Sequence, residues 1–170
     1  MSKQDYDCVL KFLVIGDTGV GKTCLTLRFT EDSFNNVHLA TIGNATGIVL
    51  CYSINDLDSF KNIQNWMKQV SEHADSQVQK ILVGNKKDLP NRQVSFEEGE
   101  QLAKEYGVPF FETSAKDGQG IQQAFMGLAE NSYKIVNDDI NMSSQQNQGQ
   151  SKMLGKGKQK QNNENSGGCC

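Results

Sequence analysis

The 170-residue sequence predicts an α/β fold of three layers, with helices on both faces of a mostly parallel sheet of about four strands. Three observations predict it. Apolar runs recur four times, each followed by a segment of helical periodicity, and that alternation builds a parallel sheet with helices on its faces. The runs are nearly continuous rather than alternating with polar residues, as in strands buried on both sides. A glycine-rich octapeptide lies between the first strand and the first helix, at the sheet edge where such folds place their ligands.

Residues 8–15 (CVLKFLVI) end in glycine and read as the first buried strand. Residues 22–30 read as a helix opened by the glycine loop. Residues 47–54 (GIVLCYSI) form the second strand. Asp58 or Ser59 is expected to cap a helix whose stripe is Phe60, Ile63, Trp66, Met67 and Val70. Residues 80–84 (KILVG) are the third strand. Ser95 and Glu98 make a capping box for a helix that runs to Tyr106 and stops at Gly107 and Pro109. Residues 109–113 (PFFET) are the fourth strand, and Ile121, Ala124, Phe125 and Leu128 give the last helix its apolar face.

The chain divides by composition into a domain over 1–138 and a tail over 139–170. From Asn141 onward it is Gln, Asn, Ser, Gly and Lys, with too little apolar surface to bury, and is expected to be disordered. The tail from 141 carries four lysines (152, 156, 158, 160) against Glu164, leaving the rest at −6 in a chain of net charge −3. An acidic body with a basic tail argues against a nucleic-acid-binding class and suits an anionic surface. Cys8, Cys24 and Cys51 are scattered, with no C-x-x-C pair, and read as structural thiols in a reducing compartment. The polar start MSKQDYD is not a signal peptide, and no apolar run approaches the ~18 residues of a membrane span.

The octapeptide Gly16-Asp17-Thr18-Gly19-Val20-Gly21-Lys22-Thr23 matches G-x-x-x-x-G-K-[ST] in the strand–helix context that validates it, which narrows the fold to a P-loop NTPase-like one. Its glycines let backbone N–H groups close around phosphate oxygens at the positive end of the helix. Lys22 would neutralise the β and γ phosphates, and the Thr23 hydroxyl would be a Mg²⁺ ligand. A random chain of this length matches in under about 1% of cases. Asn85-Lys86-Lys87-Asp88 (NKKD) closes the third strand. Asp88 can accept two hydrogen bonds from the N1 and N2 donors of guanine, a pair adenine lacks. Asn85 fits the other edge of the base, and the Lys86 stem can lie along its plane. Thr113-Ser114-Ala115-Lys116 ends the fourth strand; the Ala115 N–H can meet the guanine carbonyl and Lys116 can stack on the base.

These segments, with GDTGVGKTCLTLRF, EDSFNN, ATIG, NKKDL, RQVS and ETSAK in order, resemble the Rab family within the Ras superfamily of small GTPases, over residues 6–137 and the final pair Cys169-Cys170. The resemblance implies GTP and GDP as ligands with Mg²⁺, and a nucleotide site that includes Cys24 in the loop and Phe34 near the base. It implies Thr41 as the loop threonine that binds Mg²⁺ and senses the γ-phosphate. It also implies prenylation at Cys169 and Cys170, a peripheral place on the cytosolic face of endomembranes or plasma membrane, and a role in vesicle traffic. The expected partners are exchange factors, GTPase-activating proteins, GDP-dissociation inhibitor and a prenylation escort protein. Two lipid chains, or one with a basic patch, anchor stably where one alone does not.

At Gly43-Asn44 the sequence departs from that family. Between ATIG and the next apolar strand the family has two more strands and a D-x-x-G-Q loop with its helix, about 40 residues by ordinary element lengths. The aspartate of that loop organises Mg²⁺ and the glutamine positions the attacking water, so hydrolysis by this chain is called into question. Its one other D-x-x-G, Asp117 to Gly120, lies beyond the base-binding loop. A hydrolysis-deficient binding module and a non-functional product of splicing or gene assignment stand as the alternatives. Two geometric expectations follow. Thr41 to Thr46 reaches about 17 Å fully extended, whereas a six-residue strand spans ~20 Å; Thr41 therefore cannot touch Mg²⁺ while the strand at Gly47 keeps its place. Joining the first helix directly to that strand makes a left-handed β-α-β unit, found in ~2% of cases, and leaves the first strand as an apolar sheet edge.

Overall fold

The computed structural model describes residues 8–32 and 41–151, with side chains through 138. Its elements run β1 (Phe12–Ile15), α1 (Lys22–Asp32), a 3-10 turn (Ile42–Asn44), β2 (Gly47–Ser53), α2 (Leu57–Lys61), α3 (Ile63–His73), β3 (Gln79–Asn85), α4 (Phe96–Tyr106), β4 (Phe110–Glu112) and α5 (Ile121–Ser151). Contacts divide the chain into Met1–Ile135 and Val136–Cys170. Four strands pair in the order β1-β2-β3-β4, all parallel, with Ile15 opposite Leu50, Ser53 opposite Asn85 and Gly84 opposite Glu112. This is the four-stranded α/β sheet that the alternation of elements predicts.

Successive side chains of a strand point to opposite faces, and β2 shows it. Ile48, Leu50 and Tyr52 join Ile63, Met67, Val70, Leu102 and Ala103 of α3 and α4 on one face. Val49 and Cys51 join Leu25 and Phe29 of α1 and Ile121, Ala124, Phe125 and Leu128 of α5 on the other. All seven residues of β2 are buried, as a strand covered on both faces requires. Burial pushes the Cys51 thiol up to about 12, an unreactive structural thiol.

The β1 side differs. Phe12, Leu13 and Val14 are only half-buried, and among the described residues the strand pairs with β2 alone. It is therefore the apolar edge expected from the direct join. The strand starts at Phe12, four residues after the expected start at Cys8; just before it the Lys11 carbonyl receives the Thr46 and Gly47 N–H groups at 2.8 and 3.3 Å. Each of the three crossovers moves one strand in the same direction. The α3 and α4 crossovers share a face, and α1 lies on the opposite one. The β1-α1-β2 unit thus has the opposite hand to the other two; with those right-handed, as such units are in ~98% of cases, it is the left-handed exception.

Two local expectations are corrected. The cap of the second helical stretch is Asp56, whose carboxylate accepts from the Asp58 and Ser59 N–H groups, both at 3.1 Å, so neither Asp58 nor Ser59 is the cap. The single expected helix is two, α2 and α3, broken at Asn62. In backbone α5 runs on to Ser151, and residues 152–170 of the expected tail lie outside the described residues. Residues 139–151 hold no proline and no glycine before Gly149, and adding residues to an existing helix avoids the nucleation cost. The Ser95–Glu98 capping box forms as expected, and Gly107 closes α4 with a left-handed φ of 64°.

Candidate nucleotide-binding site

In a parallel sheet all strands end on one side, so the segments after β1, β3 and β4 meet there. The loop from Gly16 to Gly21 bends back before α1 begins at Lys22. Gly16 passes so close to β2 that a Cβ there would lie 2.0 Å from the Cys51 carbonyl oxygen. At Gly21 (φ 97°) a Cβ would sit 2.4 Å from the Asn85 amide nitrogen. These positions require glycine for space as well as for conformation. Val20 is fully buried and pins the loop to the core of the α1 face. The Lys22 ammonium folds over the loop and donates to the carbonyls of Gly16 (2.9 Å) and Asp17 (2.6 Å). Thr18, Gly19, Thr23 and Cys24 are exposed at its rim. No acidic residue lies in the first turn of α1, so the positive end of the helix is left for an anion.

Asn85 joins the three segments. Its amide nitrogen donates to the Val20 carbonyl at 2.8 Å. Its Oδ1 accepts from the Thr113 hydroxyl at 3.2 Å and from the Ala115 N–H at 3.3 Å. The residue is 1% exposed, so each bond is made where an unpaired amide would be costly. After β3 the backbone turns through Lys86, whose φ of 67° is the one positive value at a non-glycine among the described residues. Such strain costs about 1–3 kcal/mol and clusters at binding sites. The turn presents Asp88, whose Oδ1 accepts from the buried Ser114 hydroxyl at 2.8 Å. Ser114 Oγ in turn accepts from the Asp117 N–H at 3.0 Å. Arg28 of α1 donates to the Lys116 carbonyl at 2.7 Å and holds this last loop from outside.

The structure thus brings together Gly16, Asp17, Thr18, Gly19, Val20, Gly21, Lys22, Thr23, Cys24, Asn85, Lys86, Asp88, Ser114, Ala115 and Lys116 along one edge of the sheet. Thr41 is the exception, and the expectation that it binds Mg²⁺ is corrected. It precedes the 3-10 turn, where Gly43 lies beside the carbonyl of His73 at the end of α3 and Thr46 Oγ1 takes the Lys11 N–H at 2.8 Å. That is the opposite end of the sheet, one strand length of ~20 Å away. The chain from Thr41 to Thr46 is spent reaching β2. Phe34, Cys169 and Cys170 lie outside the described residues.

Two residues of the site, Asn62 and Trp66, carried no sequence signal for it, while Thr113 and Arg28 lie in the quoted segments without a role assigned there. Thr113 and Arg28 hold the base-side loops. Asn62 and Trp66 reach the phosphate side: Asn62 Nδ2 and Trp66 Nε1 donate to the two carboxylate oxygens of Asp17 at 2.6 and 2.8 Å. Trp66 reads in the sequence as one more position of an apolar stripe. Its indole N–H becomes visible only once the fold sets the top of α3 against the loop. Among the described residues no cluster of His, Cys, Asp or Glu could hold a metal by itself.

A cradle of backbone amides before a helix, tied through an asparagine to a carboxylate at a neighbouring strand tip, defines a P-loop nucleotide-binding protein. The sequence pattern of the Ras family matches residues 11–47 and 43–134. The chain is 41% identical to Ras-related protein Rab-13 of Bos taurus, covering 73% of this chain and 80% of the relative. It is 38% identical to Ras-related protein Rab-8B of Homo sapiens (80% and 84% covered) and 39% to GTP-binding protein yptV2 of Volvox carteri (75% and 77%). The chain belongs to the Ras family, and within it is a Rab-like small GTPase. The match also carries the missing block. The two matched stretches meet at residues 43–47, around Gly43-Asn44. Against Rab-13, 162 aligned positions take up only 73% of the 170 residues, about 124, so about 38 positions of the relative face no residue here.

Proposed function

We propose that this chain is a guanine-nucleotide switch of vesicle traffic, held on the cytosolic face of a membrane by lipid on Cys169 and Cys170. The observation that carries the nucleotide reading is Asn85: one buried side chain bonded at once to the phosphate loop and to the loop after β4. In this reading the amides of residues 16–23 grip the pyrophosphate, and Lys22 exchanges loop carbonyls for phosphate oxygens. Asp88, with Oδ2 unbonded among the described residues, takes the guanine N1 and N2 donors. The exposed Thr23 Oγ1 would hold a Mg²⁺ ion, which commonly keeps several waters and binds through few protein oxygens. When bound, that ion would neutralise phosphate charge. The four lysines between 152 and 160 add attraction to anionic lipid. The Rab resemblance supplies the expected regulators: exchange factors, GTPase-activating proteins, GDP-dissociation inhibitor and prenylation escort protein.

The purified full chain should retain GDP or GTP and release it to excess GDP, not to excess ADP. Asp88→Ala should weaken GDP by about 10²-fold or more, since guanine donors are left unpaired, while the fold keeps its unfolding midpoint within a few degrees. Equal competition by ADP against the native chain would sink this reading. Lipidated chain should float with anionic vesicles, and Cys169→Ser/Cys170→Ser chain should stay in the soluble fraction.

A further inference from the structure

Asn62 and Trp66 belong to none of the motifs, yet both bond one carboxylate of the phosphate loop. We propose that they are positioning residues for nucleotide, forming a clasp that holds Asp17 away from Lys22 and from the phosphates. The inference rests on the nucleotide reading above.

The argument is electrostatic. Asp17 is the second residue of the loop, in a place where a polyphosphate brings several negative charges. A free carboxylate there would repel the ligand or would pair with the cation of the same loop, Lys22, and cancel it. Neither happens here. Both Asp17 oxygens are taken by neutral donors, Trp66 Nε1 at 2.8 Å and Asn62 Nδ2 at 2.6 Å. Hydrogen bonds to a charged acceptor are the stronger kind. Lys22 bonds only to backbone carbonyls of the loop, contacts that phosphate oxygens can replace.

The local structure is built for this. The helical stretch breaks at Asn62, the last residue before α3, and the break turns its amide toward Asp17. Trp66 follows one turn later on the same side of α3, and its backbone N–H bonds the Asn62 carbonyl at 3.1 Å. The clasp therefore ties the loop after β1 to the β2-α3 connection, which the rest of the core fixes. Trp66 is the only tryptophan of the chain, so its emission reads the clasp directly.

The test is a double-mutant cycle on the full chain loaded with N-methylanthraniloyl-GDP. Trp66→Phe keeps a ring and drops the N–H; Asn62→Ala drops the other donor. Each should speed release of the labelled GDP about tenfold or more, the worth of one bond to a charged acceptor. In an Asp17→Ala background, where no carboxylate needs holding, neither should have any further effect. A merely structural role for α3 would give the same acceleration in both backgrounds, and that result, or unchanged release in both single variants, overturns the clasp. Should Trp66→Phe fail to fold, the Asn62→Ala arm carries the same comparison. If the native chain holds no guanine nucleotide, the site reading falls and takes the clasp with it. If it holds GDP and the cycle is additive, only the clasp falls.

Discussion

The two crossovers that flank β2 use similar parts to different effect. From β2 the chain passes through α2 and α3 and returns to β3 on the face it shares with α4. From β1 it passes through α1 on the other face and returns to the same central strand with the opposite hand. The first crossover leads between two strands that both have buried stretches of at least five residues; the second leaves β1 half-buried at the sheet edge. Yet the binding groups are distributed across both. The difference teaches that the loops of a site can keep their mutual geometry on a sheet whose edge packing has lost a neighbour, because the loops depend on strand ends and the packing on strand flanks.

Restoring the missing neighbour should have the largest effect. The corresponding segment of about 38 residues from Rab-13, inserted between Gly43 and Asn44, is expected from the family resemblance to supply strands that flank β1 and a D-x-x-G-Q loop. Single-turnover GTP cleavage should rise by about 10²-fold or more, the scale of a positioned proton-transfer or water-orienting group. The thermal midpoint should rise by several degrees. An insertion that leaves both unchanged would mean that the direct join costs nothing.

Next in size is the cost of truncating the two strands. Leu50→Ala in β2 removes a fully buried side chain and should cost about 3 kcal/mol in urea unfolding. Val14→Ala in half-buried β1 should cost only about 1 kcal/mol. Equal costs would show the β1 edge covered in solution, by a second copy for instance. A smaller effect tests that edge from outside. Val9, 46% exposed beside it, is a candidate for edge-to-edge association. Val9→Lys should slow the growth of light scattering on warming severalfold while shifting the unfolding midpoint by less than a degree or so; the like charge works against association and removes little packing.

Much of this was legible in the sequence, and the exceptions have two causes. The alternation of apolar runs and helical stripes fixes strand number and order, because each depends on residues close in the chain. The glycine loop and NKKD announce the site, because chemistry there needs particular residue types at fixed spacing. The misplacement of Thr41 was foreseeable from chain length alone, since five peptide steps cannot span a strand. What sequence could not show is long-range pairing: Asp17 with Trp66, 49 positions away, or Val20 with Asn85, 65 away. The cap at Asp56 was missed for a smaller reason. Asp56, Asp58 and Ser59 are all good cap residues, and only the backbone chooses among them.

The smallest effect contrasts the crossover from β1 to β2 with the one from β3 to β4, at the starts of their helices. The first turn of α1 has no acidic residue, whereas that of α4 has Glu97 and Glu98. The α1 start is left for an incoming anion; the α4 start supplies its own. The Glu98 carboxylate accepts from the Ser95 N–H at 2.8 Å and the Ser95 hydroxyl at 2.9 Å, and these bonds, the backbone one first, lower its pKa from 4.5. A carboxylate whose pKa falls on folding stabilises the fold above its unfolded pKa, and the contribution fades as pH drops through the folded value. Glu98→Gln should therefore lower the thermal midpoint slightly at pH 7, and the gap to the native chain should shrink as pH falls below 4.5. The exposed position keeps the shift small. Because the cap lies away from β1, the same gap should persist in the chain carrying the inserted block; a gap that changes there would mean that the two crossovers are coupled through the sheet.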